Sequence, residues 1–373
     1  MALNYHTYRE IRQQPEVWRK TYNLILSRKE EIKNFLNRFP NGEYEIVLTG
    51  AGTSAYIGDA LSPALFGSRF RGCKALATTD ILTIPEHYFD SKSKVLLVSF
   101  ARSGNSPESV GAIKAAEQTA GECAHIFITC NEQGELAKMH GDKILQILLP
   151  PETNDLSLAM TSSYSSMLLA CALIAHIDEI ESQKAMIDAV ADSVQAGMDK
   201  YEDAIREIAD KDFKRAVFLG SGSLKGVAEE SRLKLQELTD GAVMCAFDSF
   251  LGFRHGPKAV VKPDTLLVYL MSPMPTVGRY EHDLVRQIKA NNDTQGYILV
   301  CRRKPEDLDP SCWTLCIETG LPDGIPGCYG CVAYIYVAQL LGFFKSLQCG
   351  LNPDSPSVSG NISRVVEGVT LYI

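Results

Sequence analysis

The 373-residue sequence predicts an α/β protein of two tandem units, each a mainly parallel sheet flanked by helices. Three observations predict it. The chain repeats itself: "EIVLTGAGTSAYIGDAL" from Glu45 and "RAVFLGSGSLKGVAEES" from Arg215 both read as an apolar strand, a Gly-x-Gly turn and a helix. The strand-like runs are continuously apolar, as strands covered on both faces must be. Apolar helices close each half, over 162–177 and 330–347, so strand and helix alternate as a parallel sheet requires.

Taken in order, residues 1–40 read as an N-terminal helical segment and 41–180 as the first α/β domain. Within the repeat, Gly50 and Gly52 correspond to Gly220 and Gly222, and "VLLVSF" from Val95 matches "TLLVYL" from Thr265 at the same offset. "IFITC" from Ile126 and "ILVC" from Ile298 fall nearly in step. Between the copies, residues 181–213 predict a connecting helix. There Ile187, Val190, Val194, Met198, Tyr201, Ile205 and Ile208 recur at three- and four-residue spacing, which gives one apolar face. The second domain covers 214–350, and a tail of 351–373 follows.

Composition narrows the classes of partner. The chain is 45% apolar and 22% charged with a net charge of −8, so the basic stripes that nucleic acid or an anionic membrane would need are not expected. The start is charged early and lacks an apolar h-region, and the apolar stretch Met167–Ile177 is too short to span a bilayer. Eleven cysteines without secretory context predict reduced thiols in the cytoplasm. Cys312, Cys316, Cys328 and Cys331 fall close together. They read as buried structural thiols rather than a zinc site, because they sit in strand-like and helical apolar runs.

The Gly-x-Gly turns do not fit a dinucleotide, since the third glycine is Ala55 in one copy and Lys225 in the other. Asp80 reads as a helix cap rather than a ribose ligand, and no Gly-Lys-Ser/Thr phosphate loop is present. The stretch "SFARSGNSPESV" (99–110) fits another use. Ser106 is a predicted N-cap, Pro107 suits the first helical position and Glu108 favours the helix dipole. Amides of that helix start, with the hydroxyls of Ser103 and Ser106, would cradle an anion; Gly104 allows close approach and Arg102 adds a charge. Gly52, Thr53 and Ser54 form a second hydroxyl-rich turn, which the strand order of such a sheet would set beside the first. In the second copy, Lys234 and Glu237 lie one turn apart on a predicted helix, and His255-Gly256-Pro257 fixes an imidazole on a turn. A carboxylate and a histidine so placed are candidates for moving protons at a sugar.

The cradle, the duplication and "GFRHGPK" together resemble the sugar isomerase (SIS) superfamily, and the resemblance runs along nearly the whole chain. "EIRQQPEVW" looks like the first helix of the isomerase half of glucosamine-6-phosphate synthase. "GAGTSAYIGD", "RSGNSPESV", "AMTSS", "LKLQEL" and "NPDSPSVSGNISRVVEGV" look closer still to AgaS-type galactosamine-6-phosphate deaminase/isomerases. These are also described as tagatose-6-phosphate ketose/aldose isomerases. The resemblance implies two tandem SIS domains of flavodoxin-like three-layer form and a tail that contributes to the site. It places Ser54, Ser103 and Ser106 on the sugar phosphate, with Gly52, Thr53, Arg102 and Asn105 beside them. It puts Thr161 and Ser162 near the sugar hydroxyls, Lys234 in contact with substrate, Glu237 as the proton-transfer group and His255 as the ring-opening group. In relatives that histidine often comes from a neighbouring subunit, which implies a homodimer or larger assembly with shared active sites.

Two departures stand out. The synthase motif S-Q-S-G-E-T reads Ala101-Arg102-Ser103-Gly104-Asn105-Ser106 here. The synthase's C-terminal lysine aligns with Arg364, whose guanidinium stays protonated and is expected to bind or polarise the open-chain substrate instead. Met1-Ala2 offers no amino-terminal cysteine nucleophile. The expected reaction is therefore hydrolytic: galactosamine 6-phosphate to tagatose 6-phosphate and ammonia, with no metal or organic cofactor. A non-deaminating 6-phosphosugar isomerase and a non-catalytic sugar-phosphate sensor are the alternatives.

Overall fold

In a computed structural model the chain is described over residues 2–291, 293–366 and 368–372. The first sheet consists of β1 (Glu45–Gly50), β2 (Lys74–Ala77), β3 (Lys94–Ala101), β4 (Glu122–Thr129) and β5 (Ile144–Leu148). All its pairings are parallel and their order is β2-β1-β3-β4-β5. The second sheet consists of β6 (Arg215–Gly220), β7 (Met244–Asp248), β8 (Thr265–Leu270), β9 (Gly296–Cys301) and β10 (Leu315–Glu318). It is again parallel, in the order β10-β9-β8-β6-β7. Read from the other edge, that is the order of the first sheet, so the repeat in sequence is a repeat in topology.

The continuous apolar runs are buried as predicted. Val95, Leu96, Leu97 and Val98 of β3 have no exposed surface, nor have Leu266 and Leu267 of β8. Covering both faces takes helices, and the helix Ser162–Ala175 is buried along its whole length. The helix Gly327–Gln348 is long and apolar enough to cross a membrane, but it is a core helix whose apolar window is almost wholly buried. Gly342 lets it close on the helix Ser223–Leu238, since a Cβ there would stand 2.8 Å from a Leu238 methyl and 3.2 Å from the Lys234 carbonyl. The connecting segment is one helix, Lys184–Ala209, with Ile187, Val190, Val194, Met198, Tyr201, Ile205 and Ile208 all buried.

The chain divides into two compact units. One holds the first sheet and comprises Glu16–Leu156, Met160–Asp188 and Ser363–Ile373. The other holds the second sheet and comprises Met1–Pro15, Ser157–Ala159 and Ala189–Ile362. Each is described on its own.

Candidate functional site

In the first unit the order β2-β1-β3 makes β1 and β3 neighbours whose connections leave in opposite directions along the sheet. Ligands of doubly wound sheets bind at this reversal, outside the carboxyl ends of the strands. Two turns emerge there. After β1, Gly52 takes φ +53° and leads into the helix Thr53–Leu61, with Thr53 and Ser54 nearly buried in its first turn. Gly50 allows that tight turn, because a Cβ on it would stand 2.5 Å from the backbone carbon of Ser54. After β3, residues 102–106 lead into the helix Pro107–Thr119.

Ser106 caps that helix. Its Oγ accepts from the Ser109 amide at 3.4 Å and bonds the Ser109 hydroxyl at 2.8 Å, with Pro107 in the first turn. Gly104 sits at φ +66°, 3.3 Å (as a Cβ) from Gly134 Cα and Thr129 Oγ1. The loop is braced from the next connection. Asn131 Nδ2 donates to the Ser103 carbonyl at 2.9 Å, and the Leu136 amide donates to the Gly104 carbonyl at 3.2 Å. Asn105 Oδ1 accepts from the Glu135 amide at 2.9 Å, so its carbonyl is committed to the brace. A rigid, hydroxyl-lined helix start of this kind can hold an anion without a lysine.

The other residues of this unit form a network of their own. Arg102 is buried, and its Nη2 donates to the backbone carbonyl of Arg364. The Arg364 guanidinium donates through Nε to the Asp155 carbonyl at 2.9 Å and through Nη2 to Asn154 Oδ1 at 2.9 Å. The Asp155 carboxylate, itself buried, accepts from the amides of Thr161 and Ser163 at 2.8 and 2.9 Å and from the hydroxyls of Ser162 and Ser163. It thereby serves the first amides of the helix Ser162–Ala175 as a capping anion. Thr161 and Ser162 have no exposed surface, and their hydroxyls point to this carboxylate.

In the second unit the helix Ser223–Leu238 carries Glu230, Lys234 and Glu237 on one side. Lys234 Nζ lies 2.6 Å from Glu237 Oε2 and 3.3 Å from Glu230 Oε1. The lysine and Glu230 are fully buried, whereas the Glu237 side chain keeps 22% of its surface exposed. Burial by itself would depress the lysine, but the two carboxylates outweigh it and hold Lys234 above its ordinary range, as ammonium. The arrangement fixes one carboxylate at the edge of a buried ionic row. His255 lies beyond the short helix Phe250–Phe253, exposed, on a turn in which Gly256 takes φ +128°. No hydrogen bond joins it to Glu237 among the described residues.

The eleven cysteines are free thiols. Cys328 and Cys331 are buried, with Cys331 Sγ donating to the Cys328 carbonyl at 3.7 Å, and burial pushes the Cys328 thiol up to about 12. No cluster of three or more His, Cys, Asp or Glu side chains fit for a metal occurs among the described residues.

Comparison with known proteins agrees with this architecture. The family model described as SIS domain matches residues 42–177. A Shewanella sp. (strain ANA-3) protein named D-galactosamine-6-phosphate deaminase AgaS is 38% identical over 98% of this chain and 91% of its own length. An Escherichia coli protein of the same name is 37% identical over 98% of this chain and 95% of its own. This chain is an AgaS-type member of the SIS-domain family. The crystal structure of tagatose-6-phosphate ketose/aldose isomerase from Escherichia coli matches the AgaS-type chain with a TM-score of 0.90 at 35% identity, covering 100% of this chain and 98% of that one.

Two residues of this AgaS-type chain escaped sequence reasoning. Glu230 stands four residues before Lys234, and that helical i,i+4 spacing is the signal that sets it on the same face. Asp155 stands in "TND", six residues before Thr161. An acidic residue shortly before a Thr-Ser-Ser helix start is a capping signal, but nothing in the spacing says that one carboxylate would serve so many donors.

Proposed function

We propose that this SIS-domain enzyme is a cytoplasmic galactosamine-6-phosphate deaminase that yields tagatose 6-phosphate and ammonia. The phosphate is held by the amides and hydroxyls of the two turns, chiefly Ser54, Ser103 and Ser106, with Gly52 and Thr53 shaping the first turn. Anchoring that end positions the reacting carbons, and such positioning removes several kcal/mol of barrier in intramolecular chemistry. His255 transfers the proton that opens the pyranose ring, acting within a homodimer or larger assembly. Glu237 then takes the C2 proton of the open-chain amino aldehyde. The C2–H electrons form the C1–C2 double bond of an enaminol as the aldehyde oxygen is protonated. Delivering the proton to C1 leaves an imine at C2. Water adds to that imine and ammonia departs, leaving the ketone. Lys234 keeps Glu237 aligned for both transfers.

The observation that carries the reading is the Glu230–Lys234–Glu237 row, which presents one carboxylate to accessible space on a buried, charged support. The names of the relatives and eleven free thiols, which suit a reducing compartment, support it too. The test supplies galactosamine, glucosamine and N-acetylgalactosamine 6-phosphates and measures ammonia and ketose 6-phosphate together. Equimolar ammonia and ketose from galactosamine 6-phosphate is the expected result. Glu237→Gln should lose about 10²–10⁴-fold in turnover, the range of general acid–base contributions, while still binding substrate. Near-normal turnover by that variant would remove Glu237 from the mechanism. Ketose formation without ammonia would make the protein a simple isomerase.

A further inference from the structure

We infer that Arg364 is a positioning residue for the anion cradle and not a ligand of the sugar: it fastens the C-terminal tail between the loop of Ser103 and the start of the helix Ser162–Ala175. The inference rests on reading that cradle as the phosphate site.

Both ends of Arg364 are engaged in the first unit. Its main-chain carbonyl accepts from Arg102 Nη2, one residue before Ser103. Its guanidinium runs to the Asp155 carbonyl, by Nε at 2.9 Å and Nη2 at 2.5 Å, and to Asn154 Oδ1 at 2.9 Å. Asp155 in turn holds Thr161, Ser162 and Ser163 by its carboxylate. One arginine therefore joins two segments that sequence places far apart, residues 102–106 and 154–163. The planar fork suits this use, because it reaches two acceptors at once in fixed geometry.

The tail has a second anchor on the cradle helix itself. At Gly111 of the helix Pro107–Thr119, a Cβ would stand 3.2 Å from a Leu371 methyl and 2.8 Å from a Leu82 methyl, so the absent side chain makes room for the tail. Residues 364 and 371 thus grip the cradle at its loop and along its helix. Arg102 stands where the synthase motif has a glutamine, and its observed partner explains the cation: a buried guanidinium there meets the tail. A hydroxyl-rich loop that turns on Gly104 gains its rigidity from such braces, and its affinity for an anion depends on donors that do not have to be ordered on binding.

Inorganic phosphate separates the two roles, because it has no open-chain carbons for a sugar ligand to touch. Phosphate binding is measured by calorimetry on the full chain, and steady-state kinetics are run with galactosamine 6-phosphate, for wild type, Arg364→Ala and Arg364→Lys. A positioning role predicts that Arg364→Ala weakens inorganic phosphate by about tenfold, the scale of one charged hydrogen bond, and raises KM by the same factor. It predicts kcat within about threefold of wild type, since the proton-transfer groups are untouched. Arg364→Lys keeps the charge and one donor, and recovers part of the phosphate affinity. Unchanged phosphate affinity in both variants with a fall in kcat would overturn the inference and make Arg364 a sugar ligand. If Arg364→Ala does not fold, Arg364→Lys alone decides between these outcomes. Should wild type and Ser106→Ala bind phosphate equally, the cradle reading itself fails, independently of Arg364.

Discussion

Replacing Lys234 by Met tests the ionic row with a side chain of similar length and no charge. Lys234 and Glu230 have no contact with solvent, and Glu237 keeps 22% of its side chain exposed. Removing the cation leaves Glu230 as an uncompensated buried carboxylate, whereas Glu237 can turn towards water. Breaking a buried pair by deleting one partner costs about 3–5 kcal/mol. At about 2–4 °C per kcal/mol for domains of 150–250 residues, the melting temperature should fall by roughly 6–20 °C. The pH dependence carries a sign. Lys234 is held above its unfolded value of 10.5 in the folded protein, so its contribution is fully present below that value and is lost as pH rises through the folded pKa. In Lys234→Met the burden passes to Glu230, which must take up a proton to remain buried, and its folded pKa rises. A raised carboxylate contributes stability as pH falls, so the deficit of the variant should shrink between pH 8 and pH 5. Thermal melts followed by circular dichroism at pH 5, 7 and 9 read this out, alongside the double variant Glu230→Gln/Lys234→Met. The double variant removes both charges and should recover most of the loss. A deficit under about 1 kcal/mol at pH 7, or one that the double variant leaves untouched, would refute the buried row as a stability element.

The other perturbations address the cradle. Ser106→Ala removes the cap of the helix Pro107–Thr119; it should cost about 1 kcal/mol in chemical denaturation and weaken phosphate binding in the same preparation. Gly50→Ala brings a Cβ to 2.5 Å from the Ser54 backbone, which cannot yield without moving the helix Thr53–Leu61. A loss of about 3 kcal/mol or more, with phosphate binding abolished, is the expected outcome by melting and calorimetry. Asp155→Asn sets an amide NH₂ among donors that need an acceptor, and should destabilise by about 1–3 kcal/mol in the same melts.

Much of this architecture was legible because it is periodic or repeated. Strands buried on both faces announce themselves as unbroken apolar runs, and two copies of strand, Gly-x-Gly and helix fix each other's register. The cap at Ser106 was legible because capping is local: serine, proline and an acid in the first turn act within one turn of chain. What escaped is what depends on distant segments. Asn105 is expected at the substrate, and its Oδ1 also accepts from the Glu135 amide thirty residues away. Arg102 was expected to add a charge to the cradle, and its Nη2 meets a carbonyl in the tail. Thr161 and Ser162 were expected near sugar hydroxyls, and their own hydroxyls serve Asp155. In each case the partner that the side chain finds within the chain lies beyond any local pattern.

The duplication also shows how one copy of a cradle can be closed. In the second unit β6 and β8 repeat the adjacency of β1 and β3, and Gly222 repeats the positive φ of Gly52, at +58°. Between the end of β8 and the helix Pro275–Asn291 stand Met271, Ser272, Pro273 and Met274, which supply one hydroxyl where the first copy has Ser103 and Ser106. The amide of Ser272 donates to Glu281 Oε2 at 2.8 Å. Glu281 has no exposed surface, and burial raises its carboxyl above the ordinary range, against the opposing pull of Ser221 and the Ser272 amide. A buried acid in that position occupies the donor and opposes a second anion. The two halves therefore share a backbone plan and differ in what meets the strand ends: hydroxyls bonded within their own turn in the first, as Ser106 is to Ser109, and an internal carboxylate in the second.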